Sequence, residues 1–106
     1  MAFKISVVMA VYNKQRYVAE AIESIINQSL DFKENIQLII VNDKSTDNTR
    51  DVLEKYQREY TQNIILLNNE KNMGSSYSRN RGLKHVDAKY VNFLDSDDYM
   101  SKDAFK

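Results

Sequence analysis

Four short apolar runs, separated by stretches of helical periodicity, constrain the fold of this chain more than any other feature. They are Ile5-Ser6-Val7-Val8-Met9-Ala10-Val11, the run from Ile36 to Val41, Ile64-Ile65-Leu66-Leu67 and Tyr90-Val91-Asn92-Phe93-Leu94. The first is nearly continuous rather than alternating, which suits a strand buried on both faces, as in a parallel sheet. Between the first two, from about Gln15 to Asn27, Val18, Ile22, Ile25 and Ile26 recur at helical spacing. From about Asp47 to Tyr60 the stripe is Val52, Leu53, Tyr56 and Tyr60, and a third helix is expected from about Ser75 to His85, against the helix-weakening effect of Gly82. Asn13 is a candidate N-cap for the first helix, and Thr46-Asp47 suits the positive end of the second. The order β-α-β-α-β-α-β predicts an α/β fold: one domain over residues 1–106, with a doubly wound, mainly parallel sheet and flanking helices.

In the commonest doubly wound order the first three strands step one way and the fourth returns beside the first, with ligands at the carboxyl ends of those two strands. The turns expected to meet there are Tyr12-Asn13-Lys14 and Asp95-Ser96-Asp97, with Asn42-Asp43-Lys44-Ser45 beside them. Asp95, Asp97 and Asp98 are three carboxylates within four residues, and they repel one another at neutral pH. A hard divalent cation, Mg²⁺ or Mn²⁺, is the simplest partner for such an oxygen-only cluster. The plainer alternative is a solvated turn in which Asp97 or Asp98 caps a helix.

Other nucleotide chemistries lack their residues. There is no G-x-G-x-x-G and no G-x-x-x-x-G-K-[ST]; the two glycines, Gly74 and Gly82, do not build a phosphate loop at the first strand-helix turn. A diphosphate would instead be held through a carboxylate-bound metal. Tyr12 offers a face for a base or is an ordinary half-buried tyrosine. Asp43 accepts a base N–H or forms an Asx-turn, and Arg79 reaches a phosphate or base carbonyl or lies on a solvated helix face. His85 reads as a surface residue near a helix end. Fifteen basic and fifteen acidic side chains leave net charge zero, against a general grip on nucleic acid or an anionic membrane. With no cysteine there is neither a disulfide nor a thiolate site, and the run from Ile5 to Val11 is too short to span a bilayer. A cytoplasmic location is the default expectation, peripheral to the inner membrane face in a full-length protein.

These turns, taken in order, resemble the nucleotide-binding half of family 2 glycosyltransferases, which have the A-type glycosyltransferase fold. The similarity runs through Ser6 to Asn13, Ala21 to Ser29, Ile39 to Thr49, Asn72-Met73-Gly74, Ser78-Arg79-Asn80-Arg81-Gly82 and Phe93 to Asp98, so it covers residues 5 to about 100. Each motif alone is weak, but six in register are specific. The resemblance implies a nucleotide-sugar site, for a UDP-sugar first, built by Ala10, Val11, Tyr12, Asp43, Asn72, Arg79, Asp95, Ser96 and Asp97. Tyr12 would stack on uracil, Asp43 would bond its N–H and Arg79 would lie near the base or diphosphate. Asp95-Ser96-Asp97 would be the D-x-D motif, contacting ribose and holding Mn²⁺ or Mg²⁺, with Asp97 the foremost ligand and Asp95 the second.

The resemblance also implies transfer of the sugar with inversion to a saccharide or lipid-linked acceptor in cell-surface polysaccharide biosynthesis. A later Asp or Glu would act as base. Only Tyr99 to Lys106 follows the acidic motif, so the expectation is a donor-binding part without the acceptor half or the base. Such a part would bind without catalysing and would be prone to self-association. Three departures stand out: Ala10 for a usual Pro, Asn42 for the first of two usual acidic residues, and Lys44 for a usual Gly. Two alternatives fit less well. A sugar-phosphate nucleotidyltransferase wants a glycine-rich loop after the first strand. A phosphate-accepting receiver domain wants acidic residues after the first strand and an Asp ending the third, where Asn68 stands.

Overall fold

The computed structural model describes residues 2–94. The elements are β1 (Phe3–Val11), α1 (Val18–Ile26), α2 (Phe32–Asn35), β2 (Ile36–Asn42), α3 (Thr49–Glu59), β3 (Ile64–Asn68), α4 (Ser75–Leu83) and β4 (Ala88–Phe93). The sheet order is β3-β2-β1-β4, and every pairing is parallel. The doubly wound expectation therefore holds, including the return of the fourth strand to lie beside the first.

The apolar runs explain the layering. In β2 every residue is buried, as a strand with neighbours on both edges and helices on both faces requires. Alternate residues serve the two faces. Val7, Met9 and Val11 of β1 join Leu38 and Ile40 of β2 in one core with Val18, Ala21, Ile22 and Ile25 of α1 and Leu53 of α3. Each fully buried Val, Ile or Leu contributes roughly 1.5–3 kcal/mol of transfer free energy, so this face carries most of the hydrophobic stabilisation. The stripe foreseen on α3 is seated as expected, with Val52, Tyr56 and Tyr60 packed against the core and the Tyr56 hydroxyl donating to Glu23 Oε2 at 2.8 Å.

Among the described residues, the opposite face is covered by α4, which packs on β1 and β2. It leaves Val91 and Phe93 of β4 exposed on that side and Tyr90 exposed on the other. Gly82 explains how closely α4 approaches. A Cβ there would stand 2.7 Å from Val8 Cγ1 and 3.4 Å from Val41 Cγ2. The residue that weakens the helix locally is the one that lets it lie on the sheet.

Three local features differ from the sequence reading. α2 lies between α1 and β2, where no helix was expected. Asp31 caps it by accepting from the Lys33 amide, and the buried Asn63 donates Nδ2 to the carbonyls of Phe32, Lys33 and Ile36. Asn13 does not cap α1. The helix starts later, Tyr17 occupies the cap position without a side-chain bond, and the Asn13 side chain is engaged elsewhere. The polar Gln37 inside β2 is satisfied by Ser6 Oγ and the Asp87 amide, both donating to Oε1, and by its own Nε2 donating to the His85 carbonyl. It thereby ties the α4–β4 connection to the amino end of the sheet.

Replacing Gly82 with Ala tests the close approach. Helix propensity alone favours Ala by about 1 kcal/mol. Overpacking against Val8 opposes it by typically 1–3 kcal/mol. The expected result is net destabilisation in urea unfolding at unchanged m-value; a gain in stability would show that Val8 yields without strain.

Candidate functional site

The carboxyl ends of β1 and β2 meet in two turns bonded to each other. Asn13 and Lys44 are the only described non-glycine residues with positive φ, at 50° and 62°. A left-handed conformation costs roughly 1–2 kcal/mol for a residue with a Cβ, less for Asn. Lys44, at a position where a Gly is usual in the family resembled, thus takes up the strained geometry rather than avoiding it. Hydrogen bonds offset that cost. Asn13 Oδ1 accepts from the amides of Thr46 at 2.7 Å and Asp47 at 3.4 Å, and its Nδ2 donates to Thr46 Oγ1 at 3.1 Å. The Asn13 amide donates to Ser45 Oγ and the Lys14 amide to Thr49 Oγ1. Asp47 Oδ1 accepts from the Thr49 amide and hydroxyl, closing the start of α3 as its position predicted.

Asp43 is the hub. It is 4% exposed. Its Oδ1 accepts from the Met73 amide at 2.7 Å and from Asn69 Nδ2 at 2.8 Å, and its Oδ2 accepts from the Gly74 amide at 2.9 Å. Burial pushes its carboxyl up, but the bonds from Met73, Asn69, Gly74 and Ser78 outweigh burial and hold it below the ordinary aspartate value. A carboxylate offers about four acceptor sites, so the two amides and one side-chain amide leave Oδ2 with further capacity. Gly74, with φ of 90°, makes the bend that aims both amides at Asp43.

Of the other residues singled out in the sequence, Val11 is buried, and its carbonyl accepts from the Asp43 amide at 2.8 Å. Ala10 is half-buried beside it and pairs with Val41. Tyr12 is 43% exposed at the end of β1. Asn72 donates Nδ2 to the Asp43 carbonyl at 3.4 Å. Arg79 is half-buried on α4, next to the buried Ser78. Asp95, Ser96 and Asp97 lie outside the described residues. The last described residue, Leu94, donates its amide to the Val8 carbonyl at 3.2 Å. Among the described residues no group of three or more His, Cys, Asp or Glu could hold a metal ion. His85 is exposed on the far side of α4, consistent with the surface reading.

Asn69 is the residue that sequence reasoning passed over. It is 5% exposed, with Nδ2 donating to Asp43 Oδ1 and Ser78 Oγ and Oδ1 accepting from Arg81 Nη1 at 2.8 Å. Its signal was faint: one asparagine in a run that reads as loop. Asn42, standing where an acidic residue is usual in the family resembled, has a reason of its own. It is 2% exposed and donates Nδ2 to Asn68 Oδ1 while its Oδ1 accepts from Ser45, and a carboxylate would supply no such donor.

Comparisons with known proteins identify the family and the fold. The model for the family described as Glycosyl transferase family 2 matches residues 6–106. The chain is 45% identical over 104 residues to a minor teichoic acid biosynthesis protein, GgaB of Bacillus subtilis, covering 98% of this chain and 11% of that protein. It is 36% identical over 101 residues to a poly(ribitol-phosphate) beta-glucosyltransferase of Bacillus spizizenii, covering 95% of this chain and 16% of that one. The structure of residues 1–349 of TarS from S. aureus, solved with UDP-GlcNAc, superposes with a TM-score of 0.86 at 35% identity over 94% of this chain and 28% of that one. The chain thus spans a small part of the relatives it matches.

Replacing Asp43 with Asn should destabilise the chain by about 3 kcal/mol, on the order of one to two charge-assisted hydrogen bonds. Because the folded carboxyl is held below its unfolded value of 3.8, the stabilisation is complete above that pH and is lost as pH falls through the folded value. The gap between wild type and variant in urea midpoints should therefore be constant near neutrality and narrow in acid. A gap unchanged down to pH of about 2.5 would mean that the charge of Asp43 is not what holds the turn.

Proposed function

The chain belongs to glycosyl transferase family 2, and from that we propose that it is the nucleotide-sugar-binding part of a metal-dependent, inverting glycosyltransferase that takes a UDP-sugar. The observation that carries this reading is the pairing of Tyr12 with Asp43 at adjacent strand ends: an exposed aromatic face beside a buried carboxylate held ionised by backbone amides. A base stacked on Tyr12 presents its edge to the sheet, and only a donor that fits the small exposed part of Asp43 satisfies it. That geometry favours a ring N–H, as in uracil. The complex of the TarS relative with UDP-GlcNAc supports the same ligand class.

Asn72 holds the β3–α4 turn over the Asp43 backbone, and Arg79 on α4 supplies positive charge to the diphosphate or a base carbonyl. Asp95 and Asp97 would hold Mn²⁺ or Mg²⁺, with Ser96 and Asp95 toward ribose. When bound, the cation supplies charge neutralisation to the departing nucleoside diphosphate. The acceptor is a saccharide or polyol-phosphate polymer of the cell surface, a class supported by the relatives that make teichoic acid and glucosylate poly(ribitol phosphate). The working location is cytoplasmic, where nucleotide sugars are available.

UDP with Mn²⁺ should raise the melting temperature, and UDP with a chelator much less. At ligand a hundredfold above its dissociation constant, linkage adds about 2.7 kcal/mol. Asp97→Asn should abolish the metal-dependent part of the shift, whereas Asp98→Asn should leave most of it. Equal losses would mean a general acidic patch, and no shift at millimolar UDP and Mn²⁺ would remove the nucleotide site altogether.

The 106 residues should bind donor without transferring sugar at a useful rate. Transfer needs an acceptor positioned against C1 and a general base, the latter alone worth roughly 10²–10⁴ in rate. Among the described residues, the side chains that bond Asp43 are amides and a hydroxyl, none of them a base. Radiolabelled transfer from UDP-sugars to teichoic acid acceptors is the measurement; robust turnover would put the base within this chain.

A further inference from the structure

We propose that the outer flank of α4 is a second binding groove, one that grips the phosphodiester backbone of a polyol-phosphate acceptor chain. This rests on the reading that the whole enzyme glycosylates phosphate-linked wall polymers, and it concerns a surface that adjoins the donor site through Asn69.

α4 turns Ser78 and Gly82 to the sheet. Tyr77, Asn80 and Arg81, and Lys84 just past the last turn, point away from it. Two cavities open along that flank. One, of about 330 Å³, is bounded by Asn69, Lys71, Tyr77 and Arg81. The other, of about 380 Å³, is bounded by Tyr77, Arg81, Lys84 and His85. Tyr77 and Arg81 line both, so the two adjoin along one flank.

The charge of the chain is unevenly spread in a way that favours this flank. Between Asn68 and Lys89 stand Lys71, Arg79, Arg81, Lys84 and Lys89 against Glu70 and Asp87, in a chain whose net charge is zero. Lys71, Arg81 and Lys84 follow one another along the groove, an arrangement that suits an anion repeated along a chain better than a single phosphate. Arg81 is pre-oriented. Its Nη1 donates to Asn69 Oδ1 at 2.8 Å, and Asn69 is itself fixed by Asp43 and Ser78. A guanidinium already held in place loses less freedom on binding an anion and keeps four other N–H donors. Tyr77, 48% exposed, lays an aromatic face between the cations for the polyol carbons. Two adjoining concave cavities with cations along them fit an extended polymer better than the flat array of a membrane surface. Glu70, at the Lys71 end, is the carboxylate that opposes it.

The test is NMR titration of the ¹⁵N-labelled chain with a synthetic hexamer of phosphodiester-linked ribitol, alongside inorganic phosphate and phosphatidylglycerol vesicles. The expected result is amide shifts confined to residues 69–73 and 77–85, affinity that falls with salt, and far weaker binding of inorganic phosphate. Lys71→Gln/Lys84→Gln should weaken the hexamer about tenfold, as loss of two phosphate contacts implies, and Glu70→Gln should tighten it. Neither variant touches a residue assigned to the donor, so the UDP- and Mn²⁺-dependent thermal shift should persist. Absence of hexamer binding, shifts that map elsewhere, a double variant that binds like wild type, or vesicles that bind as well as the hexamer would each overturn the groove. Loss of the UDP shift in the wild type would instead overturn the donor reading.

Discussion

The carboxylate of Asp43 is the point from which the rest of the site is held. It is buried at the end of a fully buried strand, where an unsatisfied charge would be prohibitive. Two backbone amides and a side-chain amide converge on it. Because the amides belong to Met73 and Gly74, the bond fixes where the β3–α4 connection runs and hence where α4 starts. Because the side chain belongs to Asn69, the same carboxylate reaches through to Arg81 on the outer side of the helix. One charge thus sets the end of β2, the entry to α4 and the orientation of a cation beyond it.

That arrangement also suits the role proposed for Asp43. A residue that recognises a base must be rigid and correctly ionised before the ligand arrives, and a buried carboxylate is neither without partners. Here the fold's own donors hold it ionised and still, with acceptor capacity remaining on Oδ2. The turns around it are rigid for a related reason. Asn13 and Ser45-Thr46 bond the first strand-end turn to the second, so Tyr12 and Asp43 move together.

Most of the architecture was legible in the sequence because it follows from pattern. Continuous apolar runs announced buried parallel strands, and the stripe from Val18 to Ile26 announced α1. What was not legible depends on who meets whom. α2 is a single turn whose stability comes from Asn63, distant in sequence, so no local periodicity marks it. Asn13 reads as a cap from its neighbours, but the nearest orphan amides in space are those of Thr46 and Asp47. Asn69 carries no periodic signal at all, and its role exists only once β3 lies beside β2. The residues proposed to contact the nucleotide came from a family resemblance. The structure adds why Asp43 is ionised and why Asn42 is an amide, and Asp95 and Asp97 lie beyond its described residues.

The strand order has a consequence for how this domain is made. β1 is synthesised first yet sits between β2 and β4, so one edge of the most central pair stays open until the last strand emerges. β3 is complete at Asn68, and β4 at Phe93. At 5–20 residues per second that interval is about 1–5 s, long compared with hairpin formation or collapse. During it the nascent chain presents Phe3 to Val8 as an unpaired, mostly apolar edge, the kind of surface that recruits another strand if its own is late. The net charge of zero offers no general repulsion against such encounters. Translation speed through residues 69–93 therefore bears on the yield of folded protein.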